Sequence, residues 1–214
     1  MKILSVSNLK GGCGKTTLAV NLACMAGADR RVALVDADSQ ASAADWLTDA
    51  PVQLLRAPLD ADSAGDVTGW MRQIRALAVD LVVIDCPPHL SAVTGAALGL
   101  ADLVLVPCGP SASDVRATAR TVELIRQARQ ARGSNLPACM IVPNRIDRRS
   151  STGKGIALAL AAMNEPVGPA LIARQAHADA TGSGMWVGDY AGRSSPAAAD
   201  LVALWRAVEP RMNP

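Results

Sequence analysis

The chain has 214 residues and a formal net charge of +2, with 50% hydrophobic and 19% charged residues. This composition excludes a disordered or fibrous protein, and the length favours one domain, spanning residues 1–214, over two. Phe is absent and Tyr occurs once, which argues against stacking of single-stranded nucleic acid on aromatic side chains as the main activity.

The cellular location is predicted from the start of the chain and from its thiols. Lys2 leads into a short apolar run and then into glycines, which is not the pattern of a signal peptide. No apolar stretch approaches the ~20 residues of a membrane-spanning helix. Five cysteines without a paired framework suit a reducing compartment. We therefore expect a cytoplasmic protein.

Short β-branched runs alternate with longer helical stretches along the chain. Runs such as Leu81–Ile84 and Leu103–Val106 are apolar without alternation, which indicates strands buried on both faces. The predicted fold class is therefore α/β, with a mainly parallel twisted sheet and helices on both faces. The strands are predicted at 2–7, 31–36, 52–56, 80–85, 102–107 and 138–142. The helices are predicted at about 15–27, 40–48, 64–77, 89–99, 113–132, 152–163 and 196–208.

The first predicted strand runs into a glycine-rich turn with the sequence Lys10-Gly11-Gly12-Cys13-Gly14-Lys15-Thr16-Thr17, and a helix follows. The glycines let the backbone curl so that successive N–H groups point at one anion, and the helix N-terminus adds partial positive charge. This context is that of a phosphate-binding loop, which makes the domain a single-domain P-loop NTPase. In such a loop Lys15 contacts the β- and γ-phosphates, and the Thr16 hydroxyl binds Mg²⁺.

Carboxylates follow two other predicted strands. One strand leads into Asp36-Ala37-Asp38-Ser39-Gln40, and Leu81–Ile84 leads into Asp85-Cys86-Pro87-Pro88. Ligands of a parallel sheet bind beyond the carboxyl ends of its strands, so we expect these acids near the phosphate loop. An apolar strand that delivers Asp85 to Mg²⁺, usually through water, is a Walker B segment. Asp38 and Ser39 also suit the N-cap of a helix, which is compatible with catalysis.

The phosphate loop departs from the general P-loop pattern, because Leu9 replaces the first glycine and Lys10 adds a second lysine. It resembles the deviant Walker A motif, KGGxGK[ST][ST], of the ParA/MinD family of bacterial positioning ATPases. The segments 36–40 and 84–88 resemble the DxDxQ and DxPP sequences of that family. The chain is therefore identified as a member of the family, similar in length to its small ParA-type partition ATPases.

The resemblance implies roles for particular residues. Lys10 reaches across a dimer interface to the phosphates of the partner's nucleotide, in the manner of an arginine finger. Asp38 positions the attacking water or the magnesium shell, and Asp36 belongs to the outer shell of the metal. The implied catalytic residues are Lys10, Lys15 and Asp38; the implied magnesium ligands are Thr16, Asp36, Asp38 and Asp85; and the implied nucleotide-binding residues are Lys10, Gly11, Gly12, Cys13, Gly14, Lys15, Thr16, Thr17 and Asn144.

Two further segments carry the resemblance. Residues 107–114 resemble the P-x-x-P-S-x-x-D segment near the family's dimer interface, although Asp114 equally suits a helix acid that interacts with the dipole. Asn144 follows the strand predicted at 138–142 and lies where the family contacts adenine.

As a whole, the resemblance implies a Mg²⁺-dependent ATPase that forms an ATP-sandwich homodimer and binds double-stranded DNA without sequence preference. Hydrolysis of ATP to ADP is slow until a ParB-like or cargo-bound partner stimulates it, and the expected location is the nucleoid. The cargo, whether a plasmid, a chromosome or a protein body, stays open. Residues 114–154 carry nine basic and three acidic side chains, which suits either phosphate contacts or a solvated helix face. The candidate DNA contacts are Arg145, Arg148, Arg149, Lys154, Arg174 and Arg193.

Two other functions are considered. A MinD-like membrane ATPase needs a basic amphipathic helix near its C-terminus. An apolar stripe is formed by Leu201, Leu204, Trp205 and Val208, but the helix is short and Pro210 limits it, which favours a terminal helix packed on the core. A cluster-carrying relative such as the nitrogenase iron protein is suggested by Cys86, but the cysteines include no closely spaced ligand pair.

Overall fold

The computed structural model describes residues 1–40, 42–47, 51–58, 66–147, 149 and 151–212, and of residues 151–154 it describes the backbone alone. The strands are β1 Lys2–Val6, β2 Val32–Asp36, β3 Gln53–Arg56, β4 Leu81–Asp85, β5 Leu103–Cys108 and β6 Ala138–Pro143. They form one sheet in the order β3-β2-β4-β1-β5-β6, with every pairing parallel. The six predicted strands are confirmed.

The helices lie between the strands and after the last one. They are α1 Lys15–Ala26, α2 Ser42–Trp46, α3 Val67–Arg75, α4 Ala92–Leu100, α5 Ala112–Arg132, α6 Ser151–Ala161, α7 Gln175–Gly182, α8 Val187–Tyr190 and α9 Pro196–Val208, followed by a 3₁₀ turn at Glu209–Met212. The sequence did not predict α7 and α8. Of the predicted helix residues, 41, 48, 64 and 65 lie outside the described part of the chain.

Helix α4 begins later than the sequence predicts. Its N-cap is Ser91, whose side chain accepts a hydrogen bond from the Thr94 N–H at 3.3 Å. The predicted start at 89 overlooks this cap and the two prolines before it, which keep the preceding segment extended. Residues 86–91, which bend at 88 and 89, therefore form a loop at the carboxyl end of β4.

The core is built on both faces of the sheet because the inner strands alternate their side chains between two helix layers. Along β4, Leu81 and Val83 pack with α1 and α9, whereas Val82 and Ile84 pack with α3 and α4. Helices α5 and α6 cover β5 and β6 on the same side as α4. This arrangement buries the strands on both faces, as predicted.

Helix α9 packs on the core through its apolar face, which confirms that prediction. Leu201, Leu204 and Val208 are buried and belong to the same hydrophobic cluster as α1. Among the described residues, the helices include none with the length and hydropathy needed to cross a membrane.

Candidate nucleotide-binding site

The carboxyl ends of β1, β2 and β4 meet at one edge of the sheet. Asp36 at the end of β2 is in register with Asp85 at the end of β4, and Asp85 is in register with Val6 of β1. A cavity of about 710 Å³ opens at this edge, a volume in the range of small-molecule sites. Its lining includes Gly11, Gly12, Gly14, Lys15, Thr16, Thr17, Asp38, Pro88, Asn144, Arg145, Arg174 and His177.

The predicted phosphate loop adopts a curled backbone that depends on two glycines. Gly12 and Gly14 have φ angles of 72° and 94°, which residues with a side chain rarely adopt. Gly11 and Gly12 lie in a turn, and among the described residues no backbone carbonyl accepts a well-formed hydrogen bond from the N–H groups of residues 11–14. Lys15 is 6% exposed, and its Nζ donates to the Lys10 carbonyl at 3.0 Å. Unpaired N–H groups and a lysine at a helix N-terminus make this loop suited to an anion.

Asp85 is buried beside the loop with both carboxylate oxygens lacking a hydrogen-bond partner among the described residues. Burial raises the pKa of Asp85 to about 7; the Thr16 hydroxyl and Lys15 oppose the shift, and Asp36 adds to it. A buried carboxylate without a partner is costly, and a cation would relieve that cost. The residues present therefore fit Mg²⁺, which is commonly held by one or two protein groups together with nucleotide phosphates.

The two aspartates after β2 differ in their surroundings. Asp36 is fully buried; its two oxygens accept hydrogen bonds from the N–H groups of Asp38 at 3.2 Å and Ala44 at 2.9 Å. Asp38 is half-buried on the cavity wall, and its Oδ1 accepts from the Gln40 N–H at 3.1 Å. Asp36 therefore anchors the turn into α2, whereas Asp38 faces the cavity and also supports the following turn. The catalytic role of Asp38 stays a prediction.

Lys10 binds a cluster of polar side chains at the start of α5. Its Nζ lies 2.6 Å from Asp114 Oδ1 and 2.8 Å from Ser113 Oγ. Ser111 and Asp114 form a capping box for α5, so Asp114 serves as a helix acid and also pairs with Lys10. Burial alone would raise the pKa of Asp114, but hydrogen bonds from Lys10 and Ser111 lower it below its usual value. In this structure, therefore, the second lysine of the loop is bound within its own chain.

Asn144 and Arg145 contact carbonyl groups of the phosphate loop. Asn144 Nδ2 donates to the Cys13 carbonyl at 2.8 Å, and Arg145 Nη1 donates to the Gly12 carbonyl at 2.8 Å. Both side chains line the cavity. The contact of Asn144 with adenine stays a prediction, and its carboxamide is already hydrogen-bonded to the loop.

The other predicted DNA contacts have different surroundings in the structure. Arg174 Nε donates to Asp200 Oδ2 at 2.9 Å and lines the cavity. Arg193 lies over the Trp186 ring and 3.8 Å from Asp189. Arg149 is exposed. Arg148 and the side chain of Lys154 lie outside the described residues.

The sequence did not predict one part of the cavity lining. It is lined by residues 171–175 and by His177, which lies on the unpredicted helix α7. His177 Nδ1 is buried with no hydrogen-bond partner among the described residues, and burial lowers the pKa of His177. A single histidine in an alanine-rich stretch carries no motif, so only its place in the fold identifies it.

A glycine-rich loop at the start of α1, a buried carboxylate at the end of a neighbouring strand and a parallel sheet define a P-loop nucleotide-binding protein. Residues 4–185 match the family described as the CobQ/CobB/MinD/ParA nucleotide binding domain. The chain therefore belongs to this family, and within it to the ParA/MinD group of partition and positioning ATPases.

Curated relatives align with much of the chain. The maintenance of carboxysome distribution protein A of Halothiobacillus neapolitanus is 31% identical over 97% of this chain and 96% of its own. The chromosome partitioning protein ParA of Caulobacter vibrioides is 30% identical over 73% of this chain and 74% of its own.

Solved structures share the fold. Apo McdA from Cyanothece superimposes with a TM-score of 0.82 at 20% identity, covering 97% of this chain and 99% of that one. An ATP complex of McdA from Cyanothece has a TM-score of 0.79 at 21% identity, covering 100% and 96%.

Proposed function

We propose that this protein is an ATP-driven positioning ATPase on the nucleoid. ATP with Mg²⁺ binds at the phosphate loop and drives formation of a sandwich homodimer that binds double-stranded DNA without sequence preference. A ParB-like or cargo-bound adaptor protein then stimulates hydrolysis to ADP and releases the protein from DNA. The whole chain, residues 1–214, acts as one ATPase domain in this proposal.

One observation is the main support for nucleotide binding at this site. The unpaired N–H groups of residues 11–14 and the carboxylate of Asp85, which has no partner among the described residues, lie at the same edge of the sheet. The first group suits the phosphates of a nucleotide and the second suits their metal ion. An anion site and a cation site side by side are what a Mg²⁺-nucleotide requires.

The roles of the chain's own residues follow from this placement. Lys15 lies at the helix N-terminus, where its charge binds the β- and γ-phosphates. Thr16 and Asp85 would hold Mg²⁺, with Asp36 and Asp38 in its outer shell; when bound, the ion neutralises charge on the phosphate oxygens. We propose that Asp38, which lines the cavity, orients the water that attacks the γ-phosphate.

Dimerisation would require Lys10 to exchange partners. The side chain of Lys10 is 33% exposed and that of Asp114 is 10% exposed. The Lys10 ammonium is the more exposed member of the pair, and the Ser111 N–H still donates to Asp114, so a phosphate in the partner subunit's site could compete for the ammonium. The pairing with Asp114 would then keep Lys10 extended over the loop surface until ATP binds.

For the cargo we propose a protein body. The relative from Halothiobacillus neapolitanus is named for the distribution of carboxysomes and aligns over almost its whole length, whereas the Caulobacter vibrioides ParA aligns over about three quarters. Fluorescence imaging in the native host tests this proposal, because deletion of the gene should cluster the cargo body and leave chromosome segregation unchanged. Missegregated chromosomes with an evenly distributed body would contradict it.

We expect the site to prefer ATP over GTP by at least roughly tenfold, or ~1.4 kcal/mol. We propose that Asn144 contacts the base; Arg145 and Ile146 follow it, so the chain has no [NT]KxD sequence of the kind that reads guanine. Competition titrations with a fluorescent ADP analogue measure both affinities. Equal affinities for ATP and GTP would refute the assignment of Asn144.

The DNA surface is proposed around Arg148 and Arg149. Reversing both charges, Arg148→Glu with Arg149→Glu, should reduce DNA affinity by more than roughly tenfold and lower the salt slope by roughly 1.8, since each phosphate contact contributes about 0.9. Binding of a fluorescent duplex is measured with ATP at several salt concentrations. Dimerisation is measured alongside, because a monomeric variant would lose DNA for another reason.

A matched charge reversal on α5 separates a local effect from an effect of net charge. Arg116 and Arg120 are exposed on one face of α5, four residues apart. Arg116→Glu with Arg120→Glu should keep most of the DNA affinity. Equal losses from the two double variants would mean that binding follows net charge, and no loss at Arg148 and Arg149 would identify their segment as a solvated face.

The MinD-like membrane alternative receives less support. Its apolar helix is α9, in which Leu201, Leu204 and Val208 are buried in the core and Trp205 is half-buried against it. Recruitment of the ATP-bound protein to anionic vesicles, with no binding to DNA, would favour that alternative over the DNA proposal.

A further inference from the structure

Two side chains donate hydrogen bonds to carbonyl groups of the phosphate loop. A peptide unit is planar, so its C=O and the N–H of the next residue point in opposite directions. The Gly12 carbonyl accepts from Arg145 at 2.8 Å, and the Cys13 carbonyl accepts from Asn144 at 2.8 Å. These two contacts therefore direct the N–H groups of Cys13 and Gly14 away from the side chains that hold the carbonyls.

The backbone at Arg145 is adapted to this contact. Its φ angle is 57°, a left-handed conformation that costs a residue with a side chain about 1–2 kcal/mol. The Arg145 N–H donates to Asn144 Oδ1 at 2.9 Å, while Asn144 Nδ2 binds the loop. One carboxamide thus connects the left-handed turn to the phosphate loop. Strained backbone of this kind is found mostly at functional sites.

The guanidinium of Arg145 lies at the wall between two cavities. It lines the nucleotide cavity and also a smaller one of about 300 Å³, where Gly12, Cys13 and Asp114 are among the other lining residues. Its cationic group is therefore next to the loop that is proposed to bind phosphates. The sequence suggested a DNA contact for this arginine, but in the structure it binds the phosphate loop.

We propose that Arg145 is a positioning residue of the nucleotide site: its guanidinium holds the Gly12 carbonyl and thereby orients the Cys13 N–H for the diphosphate group shared by ATP and ADP. The proposal rests on the proposed binding of nucleotide. Because the contact acts through the phosphate loop, it affects ADP, ATP and inorganic pyrophosphate alike and leaves the affinity for adenosine unchanged.

Arg145→Gly tests this most directly, because glycine adopts the φ angle of 57° without strain and only the side chain is lost. We expect roughly tenfold weaker binding of ADP, ATP and pyrophosphate by titration calorimetry, or ~1.4 kcal/mol. Millimolar free guanidinium should restore part of the affinity, which a loss of fold would not allow. Arg145→Asn, which also tolerates a left-handed backbone, is the second variant should the glycine variant fail to fold.

Arg120→Ala removes an exposed arginine of α5 that lines neither of the two cavities, and this variant should bind pyrophosphate as the unmodified chain does. Pyrophosphate affinity within about twofold of the unmodified chain in both Arg145 variants would overturn the proposal. So would a loss of DNA binding at saturating ATP without any loss of nucleotide affinity. An unmodified chain that binds neither ADP nor pyrophosphate would overturn the proposed function itself, and this inference with it.

Discussion

Gly14→Ala is expected to weaken ADP binding at least roughly 100-fold, or about 2.8 kcal/mol. Gly14 has a φ angle of 94°, and a Cβ atom there would lie 2.2 Å from Asn144 Nδ2. The backbone strain and the collision act together, because the Asn144 carboxamide cannot move without releasing the Cys13 carbonyl. Both effects disturb the N–H groups that face the phosphates. Calorimetric titration with ADP measures the loss.

Two other glycines serve as graded controls for this prediction. Gly12 has a φ angle of 72°, and a Cβ atom there would have no neighbour within 4 Å, so Gly12→Ala adds strain without a collision and should cost less. Gly95 lies inside α4 and is equally open, so Gly95→Ala should bind ADP normally. If Gly14→Ala and Gly12→Ala lose the same affinity, the Asn144 contact contributes nothing. Thermal melting without ligand identifies a variant that has merely lost its fold.

The second large effect separates the two lysines of the loop. Lys15→Ala should reduce the affinity for ADP and ATP at least roughly 100-fold, because the buried ammonium acts within one subunit at the helix N-terminus. Lys10→Ala should leave ADP affinity within about threefold, because Lys10 Nζ is bound to Asp114 and Ser113 outside the nucleotide cavity. Nucleotide titration of the two variants measures this difference.

The same pair of variants tests the trans role of Lys10. In an Asp38→Ala background, which should slow hydrolysis, ATP should convert the chain to a dimer on size exclusion, and the added Lys10→Ala change should prevent this. Lys10→Arg is the matched control, since it retains the charge at the same place. Normal dimerisation and hydrolysis by Lys10→Ala would show that the trans role is wrong.

The chemistry of the site was predictable from the sequence because it depends on short segments with a local physical cause. Glycines at fixed spacing before Lys15 permit the curled backbone that a phosphate-binding loop at a helix start requires. An apolar run ending in Asp85 indicates a buried parallel strand with a carboxylate at its carboxyl end. Both features use neighbouring residues, so their structural meaning does not depend on the rest of the chain.

The helices α7 and α8 were not predictable in the same way. The buried residue of α7 is Ala180, and α8 has four residues, so neither shows an apolar stripe with helical spacing. Their place is set by packing on α1, where Asn21 Oδ1 accepts a hydrogen bond from the Val187 N–H at 2.8 Å. Tertiary contacts of this kind outweigh local propensity.

What the sequence by itself determined is the parallel α/β sheet, the phosphate loop and the acids at the strand ends. What only the tertiary structure decided is how distant residues complete the site. Lys10 pairs with Asp114 across 104 positions of sequence, and Arg145 reaches Gly12 across 133. The strand order places β5 beside β1 and β6 beside β5, so the segments that follow these two strands reach the phosphate loop. Local patterning cannot specify strand order, because buried parallel strands share one apolar pattern whatever their neighbours are.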